Sequence, residues 1–453
     1  MIHSFRSFLL ATLLCPAVVF PQPKKIKLAI VGGGMAGVSA AHSIFSIDSN
    51  ASITLFEKES AMGGNAKSVT LKNSRQEEVL VDAGPQYFTE GPWDEYIRFL
   101  KTYNVYNTNE TSEFTGSIRI DSKGTERPRL ITPLKGSFRG EKLSQLIKFK
   151  RFFDESFYVF QNPKSVYPPH IGDWVNSLSF DTTFKEQIIF PFLAASLGTD
   201  ISNIKKTATC EIIRLFAFRK PSSKNSFKVM HKGMGTLIQQ IGTALQAKGI
   251  QVKTNAAVKQ VSRMNENYVL TYQNGGELEQ ETFDFVVLAV HADQAYKLLK
   301  GNTYFDTISP ILKEFGYFQA RIVLHRDSSL VNTARPAFLN ITTSADNQII
   351  ASTMNLSMID ARYNGIYKSW LTKELCDKVK ANGSFLHEEV FYHPLITPEF
   401  NTSLFKLNDA VEKVSGLSLC GGWTQGLETQ ETAVHSGQVI VEKYRKFQTL
   451  FFL

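Results

Sequence analysis

Gly32, Gly34 and Gly37 stand in the spacing G-x-G-x-x-G within Ile26 to Glu57, IKLAIVGGGMAGVSAAHSIFSIDSNASITLFE. Glycines at those intervals carry chemistry when they follow a strand, open a helix and are trailed by an acid about 20 residues on. The first then makes the tight turn, the second lets backbone approach a pyrophosphate, and the third lets the helix pack closely on the sheet. The free N–H groups at the helix start, including those of Met35 and Ala36, would receive the negative charge. Glu57 closes the strand SITLFE, where a carboxylate can accept both hydroxyls of an adenosine ribose and would repel a 2′-phosphate. Strand, glycines, alanine-rich helix, strand and acid fall in register, so the stretch reads as a dinucleotide-binding βαβ unit.

The elements that position this unit follow along the chain. Gly63-Gly64 ends a loop after Glu57 and permits backbone to lie against a ligand, or makes a plain hairpin turn. WDEYIRFLKTY places Tyr96, Phe99, Leu100 and Tyr103 at helical spacing. Residues from about Ser112 to Pro133 alternate like a strand pair. The following stretch to about Arg219 is mainly helical, has no nucleotide-binding glycines and reads as a cap. A helix from His231 to Gly249 and the strands IQVKTNAAVKQVSR, NYVLTYQ and FDFVVLAV return the chain to the first sheet. The last of these is apolar without alternation, as in a strand buried on both faces. Asp293 to about Asp409 mixes helix and strand in a second visit to the cap. The chain closes on LSLCGGWTQGLETQETAVHSGQVIVEKYRKF, a strand, two glycines, a loop and a helix.

The 453 residues, 43% hydrophobic and 20% charged, describe an ordinary globular chain without a disordered arm. The net charge of +8 is spread along the chain, which argues against nucleic-acid binding. One compact basic run, Lys148 to Phe153, interleaves cations with aromatics. Together with Phe157 and Phe160 it forms an apolar stripe that either packs into the cap core or rests on an anionic bilayer. Cys15, Cys210, Cys376 and Cys420 are too scattered for a disulfide framework or a zinc site. Residues 1–23 carry His3 and Arg6 and then thirteen mostly apolar residues from Phe8 to Phe20. As a helix that segment spans about 20 Å, short of a hydrocarbon core of about 30 Å, and suits an export signal cleaved after Ala17. The alternative is a cytoplasmic protein with an apolar start. Six N-x-S/T sequons, at Asn50, Asn109, Asn340, Asn355, Asn382 and Asn401, matter only in a eukaryotic secretory route.

His291, Asp293, His325, Asp327 and His393 have residue types that ligate metals, but their spacing favours capping and core hydrogen bonds, and no metal site is assigned. No G-x-S-x-G elbow supports a hydrolytic triad. Cys420 reads as a buried small hydrophobe. Trp423 and Tyr87 would either wall a ligand pocket or pack as ordinary aromatics.

Four landmarks in order, VGGGMAG, Gly63-Gly64 after Glu57, the strand pair ending FDFVVLAV and the closing CGGW…ETAVHSG, resemble the FAD-dependent amine oxidase and phytoene desaturase superfamily. VLAVHADQAYKLL, VLHRDSSLVNTARPAF and YHPLITPEF look most like a bacterial branch of NAD/FAD-binding oxidoreductases within it. The resemblance implies an α/β fold: a Rossmann-like FAD-binding domain of the glutathione-reductase type with a discontinuous α+β substrate or cap domain. It places residues 24–110, 225–292 and 410–447 in the first domain and 111–224 and 293–409 in the second.

Carried onto this chain, it implies FAD with its pyrophosphate on Gly32, Gly34, Met35, Ala36 and Gly37 and its ribose on Glu57. Gly64 and Asn65 would lie along the ribityl-phosphate, and the backbone of Val258 would meet the adenine. Gly421, Gly422 and the turn Glu431-Thr432-Ala433 would lie against the flavin ring, with the last helix pointing its N-terminus at the pyrimidine oxygen. Many members carry an arginine where this chain has Asn65. The implied activity is hydride transfer from an apolar (lipid, isoprenoid) or amine substrate to flavin, as a desaturase, oxidase or double-bond isomerase. No catalytic side chain is assigned. The alternative is a non-catalytic protein resembling GDP dissociation inhibitors, which hold lipidated partners on the same fold. Loss of cofactor would show there as degraded glycines, and both glycine motifs are intact here.

Overall fold

The computed structural model describes residues 24–89, 93–123, 128–132, 140–162, 164, 166–217, 226–333 and 336–452. The expected export segment, residues 1–23, lies outside them. The glycine motif sits on a sheet of five parallel strands in the order Leu417–Leu419, Phe285–Leu288, Lys27–Val31, Ser52–Phe56, Gln251–Lys253. Burial on both faces explains the unbroken apolar run of the central strands. Leu28, Ile30, Phe285 and Val287 face Val38 and Ile44 of the helix Met35–Ile47 and Ile440 of the closing helix. The alternate residues Ala29, Val31, Val286 and Leu288 face Val261, Tyr268 and Leu270 of a three-stranded antiparallel sheet.

That second sheet comprises Ala256–Met264, Asn267–Asn274 and Glu277–Phe283. Sequence pattern misses its third strand, ELEQETF. It is the edge strand and exposes nearly all of its length, so it has no apolar face to betray it.

The cap is built on a seven-stranded sheet in the order Phe385–Pro394, Tyr317–His325, Tyr367–Leu371, Ile349–Asn355, Leu339–Thr343, Ile118–Ser122, Leu130–Thr132. The expected strand pair between Ser112 and Pro133 is more divided than its alternation suggests. Ile118–Ser122 does pair with Leu130–Thr132, but Thr111–Thr115 pairs with Ser226–Met230, across the whole helical part of the cap. Two sequon asparagines, Asn340 and Asn355, are buried in the sheet and cannot carry a glycan in the folded chain.

Helices Gly140–Gln161, Ile171–Ser177, Phe190–Leu197 and Thr209–Ala217 share one core with this sheet. The aromatic stripe faces that core: Phe149 and Phe152 are buried, and Phe153 meets Phe149, Phe152, Phe192 and Phe216 edge-on. The neighbouring cations are paired, Lys148 with Asp181, Lys150 with Asp154 and Arg151 with Glu155. Of the stripe, only Phe160 is exposed. Among the described residues no helix is long and apolar enough to cross a membrane.

The closing helix Gln430–Phe451 lies directly on the glycine-motif helix Met35–Ile47. Ser39 Oγ donates to the Val434 carbonyl at 2.8 Å, and a Cβ on Gly437 would come within 2.5 Å of the Ala40 nitrogen. The closing helix of 22 residues thus backs the second turn of the glycine-motif helix.

Candidate functional site

The three fingerprint glycines answer to different constraints. Gly32 has φ +113°, and a Cβ there would lie 2.3 Å from the Ala289 carbonyl oxygen, so the turn itself demands glycine. A Cβ on Gly37 would lie 1.9 Å from the Gly32 oxygen, so helix-to-strand packing demands the third. At Gly34 a Cβ would meet only Gly64, at an ordinary 3.6 Å, and the backbone there is extended at φ −77°. No protein atom requires a glycine at that position. What glycine leaves is bare backbone facing bare backbone, since Gly34 bridges Gly63 and Gly64 sits opposite at φ +57°.

Beside this gap the helix Met35–Ile47 begins without a capping side chain and without an acid in its first turn. Its first amides therefore keep their hydrogen-bonding capacity for an anion. The closing helix is the contrast, since Thr429 and Thr432 form a capping box at its start.

Glu57 is buried, with Oε2 accepting from the Gly33 N–H and Oε1 from the Glu59 N–H, each at 2.8 Å. These bonds fix the carboxylate in place and leave each oxygen a further lone pair for a ribose hydroxyl. Val258 lies at an irregularity of its ladder: it pairs with Tyr272 and Gln260 pairs with Thr271, so Lys259 bulges out beside it.

Asn65 anchors the second glycine turn through its backbone. A Cβ on Gly84 would strike its carbonyl at 1.9 Å, which stacks the segment Asp82–Tyr87 on the turn. From the cap strand Tyr367–Leu371, Lys368 reaches into this segment and donates to the Gly84 carbonyl and, at 3.3 Å, to Gln86 Oε1. Gln86 Nε2 is buried with no partner among the described residues. Asp82 accepts from the Met234 N–H at 2.9 Å and from Ser68 Oγ. Burial pushes Asp82 up to about 6, against the Ser68 hydrogen bond and the Lys368 charge, and pulls Lys368 down to about 8 against the Asp82 charge. Sequence reading did not single out these residues. The signal was a lysine inside the strand YKSWL and an acid ending the strand EVLVD, each at a position where burial costs a charge.

At the closing glycines the roles divide. A Cβ on Gly422 would meet Glu428 Cγ at 2.9 Å and Thr432 Oγ1 at 3.0 Å. The Glu431 carboxylate turns away and accepts the Glu95 and Tyr96 N–H groups at the start of the helix Asp94–Thr102, so only its backbone faces the turn. Ala433 is buried beneath it. Trp423 is a core residue: it is fully buried against Phe315, and Nε1 donates to the Val290 carbonyl at 3.0 Å. Tyr87 likewise packs among Phe114, Phe227 and Phe338. Burial pushes the Cys420 thiol up to about 12, and its sulfur lies 3.4 Å from the Ala36 carbonyl oxygen. From the cap helix Thr209–Ala217, Arg214 donates to the Gln425 carbonyl at 2.9 Å and Glu211 accepts the Leu427 N–H at 3.0 Å, which clamps the loop between Gly422 and Thr429.

His291 and His393, remote in sequence, meet around Glu428. His291 occupies the N-cap position of the helix Ala292–Leu299, but its side chain does not cap it. Nε2 instead lies 2.9 Å from Glu428 Oε1, while His393 Nδ1 lies 3.6 Å from Oε2. Burial would raise Glu428, but the two histidines outweigh it and hold the carboxyl at about 2. His325 is elsewhere, with Nδ1 accepting the Asp327 N–H and Nε2 on Ser369 Oγ in the cap sheet. Among the described residues no group of three or more His, Cys, Asp or Glu side chains is arranged to hold a metal ion.

Residues 35–319 match the flavin containing amine oxidoreductase family. The chain belongs to that family of FAD-dependent oxidoreductases, and FAD is its cofactor. Over 283 residues it is 24% identical to a protoporphyrinogen oxidase of Dictyostelium discoideum, a match covering 49% of this chain and 52% of that one. The chain thus spans about half the length of that relative. Its fold is similar to cyclohexylamine oxidase from Brevibacterium oxydans IH-35A (TM-score 0.64, 12% identity, 94% of this chain and 100% of that one). It is also similar to a CLA-producing fatty acid isomerase from P. acnes (TM-score 0.64, 12% identity, 92% and 98%). At such identities the structural likeness speaks for the fold, a Rossmann-like FAD-binding unit joined to a cap.

Proposed function

We propose that this chain oxidises or rearranges an apolar or amine substrate by hydride transfer to FAD laid between Gly34 and Gly64. The observation that carries this reading is Gly34 itself: the fold does not need a glycine there, and a ligand crossing that gap does. The amides of Met35, Ala36 and Gly37 take the pyrophosphate, Glu57 the adenosine ribose, and the backbone of Val258 the adenine. Gly64 and Asn65 follow the ribityl-phosphate. Gly421, Gly422 and the backbone of Glu431, Thr432 and Ala433 lie along the ring, where the positive end of the closing helix favours negative charge. Bound FAD supplies the two-electron acceptor, and the chain supplies orientation and a dry pocket.

The substrate side is the cap. Tyr87, Phe114, Phe227 and Phe338 form an aromatic group beside Gln86 and Lys368, which supports an apolar substrate body. The named relatives act on a porphyrinogen, a cyclic amine and a fatty acid, all largely apolar molecules. The absorption spectrum of the purified protein tests the reading. A flavin spectrum, bleached anaerobically by a member of a panel of amines, porphyrinogens and unsaturated fatty acids, is expected. A colourless protein that FAD does not reconstitute overturns it.

Residues 1–23 fit an export signal in this reading. Mass spectrometry of native material should find a start near Val18, and an intact segment from Met1 to Phe20 would remove the claim.

A further inference from the structure

We propose that His393, Glu428 and His291 form a redox-linked proton acceptor, taking up one proton when the flavin is reduced. The inference rests on the placement of FAD along Gly422 argued above. Three separate elements build the cluster: His291 follows the strand Phe285–Leu288, His393 lies on the cap strand Phe385–Pro394, and Glu428 precedes the closing helix. The cluster sits beyond the carboxyl ends of the parallel strands, where open α/β sheets bind their ligands. Contacts tie it to the cradle at both ends, since Gly32 abuts Val290, next to His291, and Gly422 abuts Glu428.

Its hydrogen bonding is incomplete on one side. Glu428 Oε1 is used by His291, whereas Oε2 is buried and without a hydrogen-bond donor among the described residues. Nearest to Oε2 is His393 Nδ1, at 3.6 Å. A proton on His393 places an N–H on both ring nitrogens, so that after a small rotation Nδ1 donates to Oε2 whichever tautomer the neutral ring holds, and the bond becomes charge-assisted.

The other groups facing the cluster do not compete for that proton. Burial lowers His291, but the Glu428 hydrogen bond and the Glu428 and Asp293 charges outweigh it, so His291 is raised and serves as the standing partner of Glu428. Asp293 pairs with Lys297, and the Tyr317 hydroxyl accepts the Ala292 N–H. Glu211 and Arg214 face the loop from the cap and pair with each other. His393, whose Nδ1 is nearest the orphaned Oε2, is therefore the place in the cluster assigned to that proton.

The electron and proton count closes during turnover. The substrate C–H bond breaks with its electron pair passing to the flavin as hydride. The adjacent X–H bond breaks with its proton passing to a nitrogen of His393, and its electron pair becomes the new C=X bond. His393 would release that proton to a two-electron acceptor such as dioxygen, which with the two electrons and the ring proton would leave as hydrogen peroxide.

The midpoint potential of the holoenzyme flavin, measured by dye equilibration from pH 5.5 to 9, needs no substrate. In a two-electron couple each proton taken up adds about 30 mV per pH unit, the value of a tenfold change in proton activity. The wild type should fall by about 60 mV per pH unit over part of the range, one proton on the ring and one on the cluster, by the same relation. His393→Asn and Glu428→Gln should each fall by about half as much throughout. Equal slopes in wild type and His393→Asn overturn the proposal. A wild-type slope of about 30 mV across the whole range overturns it without any variant. A protein that binds no FAD overturns the placement of the cofactor instead.

Discussion

Glu57 Oε2 and the Gly33 nitrogen are joined by a buried 2.8 Å hydrogen bond that ties the acid at the end of the second strand to the middle of the glycine turn. The acid proposed to hold the ribose is therefore also a brace of the glycine turn. Glu57→Gln can accept only one of the two N–H groups now bound and turns an NH₂ toward the other. It should lose about 1–3 kcal/mol of stability as well as FAD retention. Thermal unfolding of apo and holo protein with FAD occupancy after dialysis reads both. Loss of FAD with an unchanged apo midpoint would show that the brace contributes nothing.

Gly34 and Gly37 should respond in opposite ways to a side chain. Gly34→Val meets no backbone obstacle in the protein, so the variant should fold and remain apo. Gly37→Ala drives a Cβ to 1.9 Å from the Gly32 oxygen, so it should lose at least about 1–3 kcal/mol of fold stability whether or not FAD is supplied. Circular dichroism melts beside flavin absorbance separate the two. A Gly34→Val protein with full FAD content would relocate the cofactor.

Asp82 should make the protein less stable as the pH rises through mild acid. Its folded value of about 6 lies above that of the unfolded chain, so between about pH 4 and 6 the folded state holds the extra proton. That contribution is complete below about pH 4, lost as pH passes 6, and worth about 2–3 kcal/mol. Asp82→Asn should remove this contribution, so that its stability rises relative to the wild type as the pH goes from 4 to 7, measurable by urea unfolding.

His325 should act in the opposite sense over much of the same window. Burial holds it at about 4, below the unfolded value, so the unfolded chain binds the extra proton between about pH 4 and 6.5. Its stabilisation is full above about pH 6.5 and lost as pH falls through 4, again about 3 kcal/mol. In the wild type the two slopes should largely offset each other. His325→Asn should expose the Asp82 slope, Asp82→Asn the opposite slope of His325, and the double variant should lose both contributions. Identical urea midpoints for all four proteins at pH 4.5 and 6.5 would refute both assignments.

Sequence alone carried the βαβ unit of the glycine motif because its constraints are local. The distance from Gly32 to Glu57 is set by one βαβ unit, and each glycine stands where backbone geometry puts it. The closing glycines and FDFVVLAV were legible for a related reason, since burial on two faces leaves a strand no polar residues. The groups that surround the chemistry were not legible. Lys368 and Asp82 lie in separate sheets, and Glu428 meets His291 across 137 residues. No periodicity encodes such a meeting. Spacing suggested that His291 would cap a helix or bond within the core, and the structure turns it to Glu428. The third strand of the small sheet was missed because an edge strand facing water has no alternation to read.

The five-stranded sheet includes Leu417–Leu419, and the helix Gln430–Phe451 that follows it lies on the helix that begins beside Gly34. The ribosome therefore releases the first contact surface of the cradle long before the last. With pairings this distant in sequence, the sheet under the glycine turn closes only once Leu417–Leu419 has joined Phe285–Leu288. FAD should therefore bind the assembled fold and not an early fragment that carries the glycine turn without the strand and helix that back it.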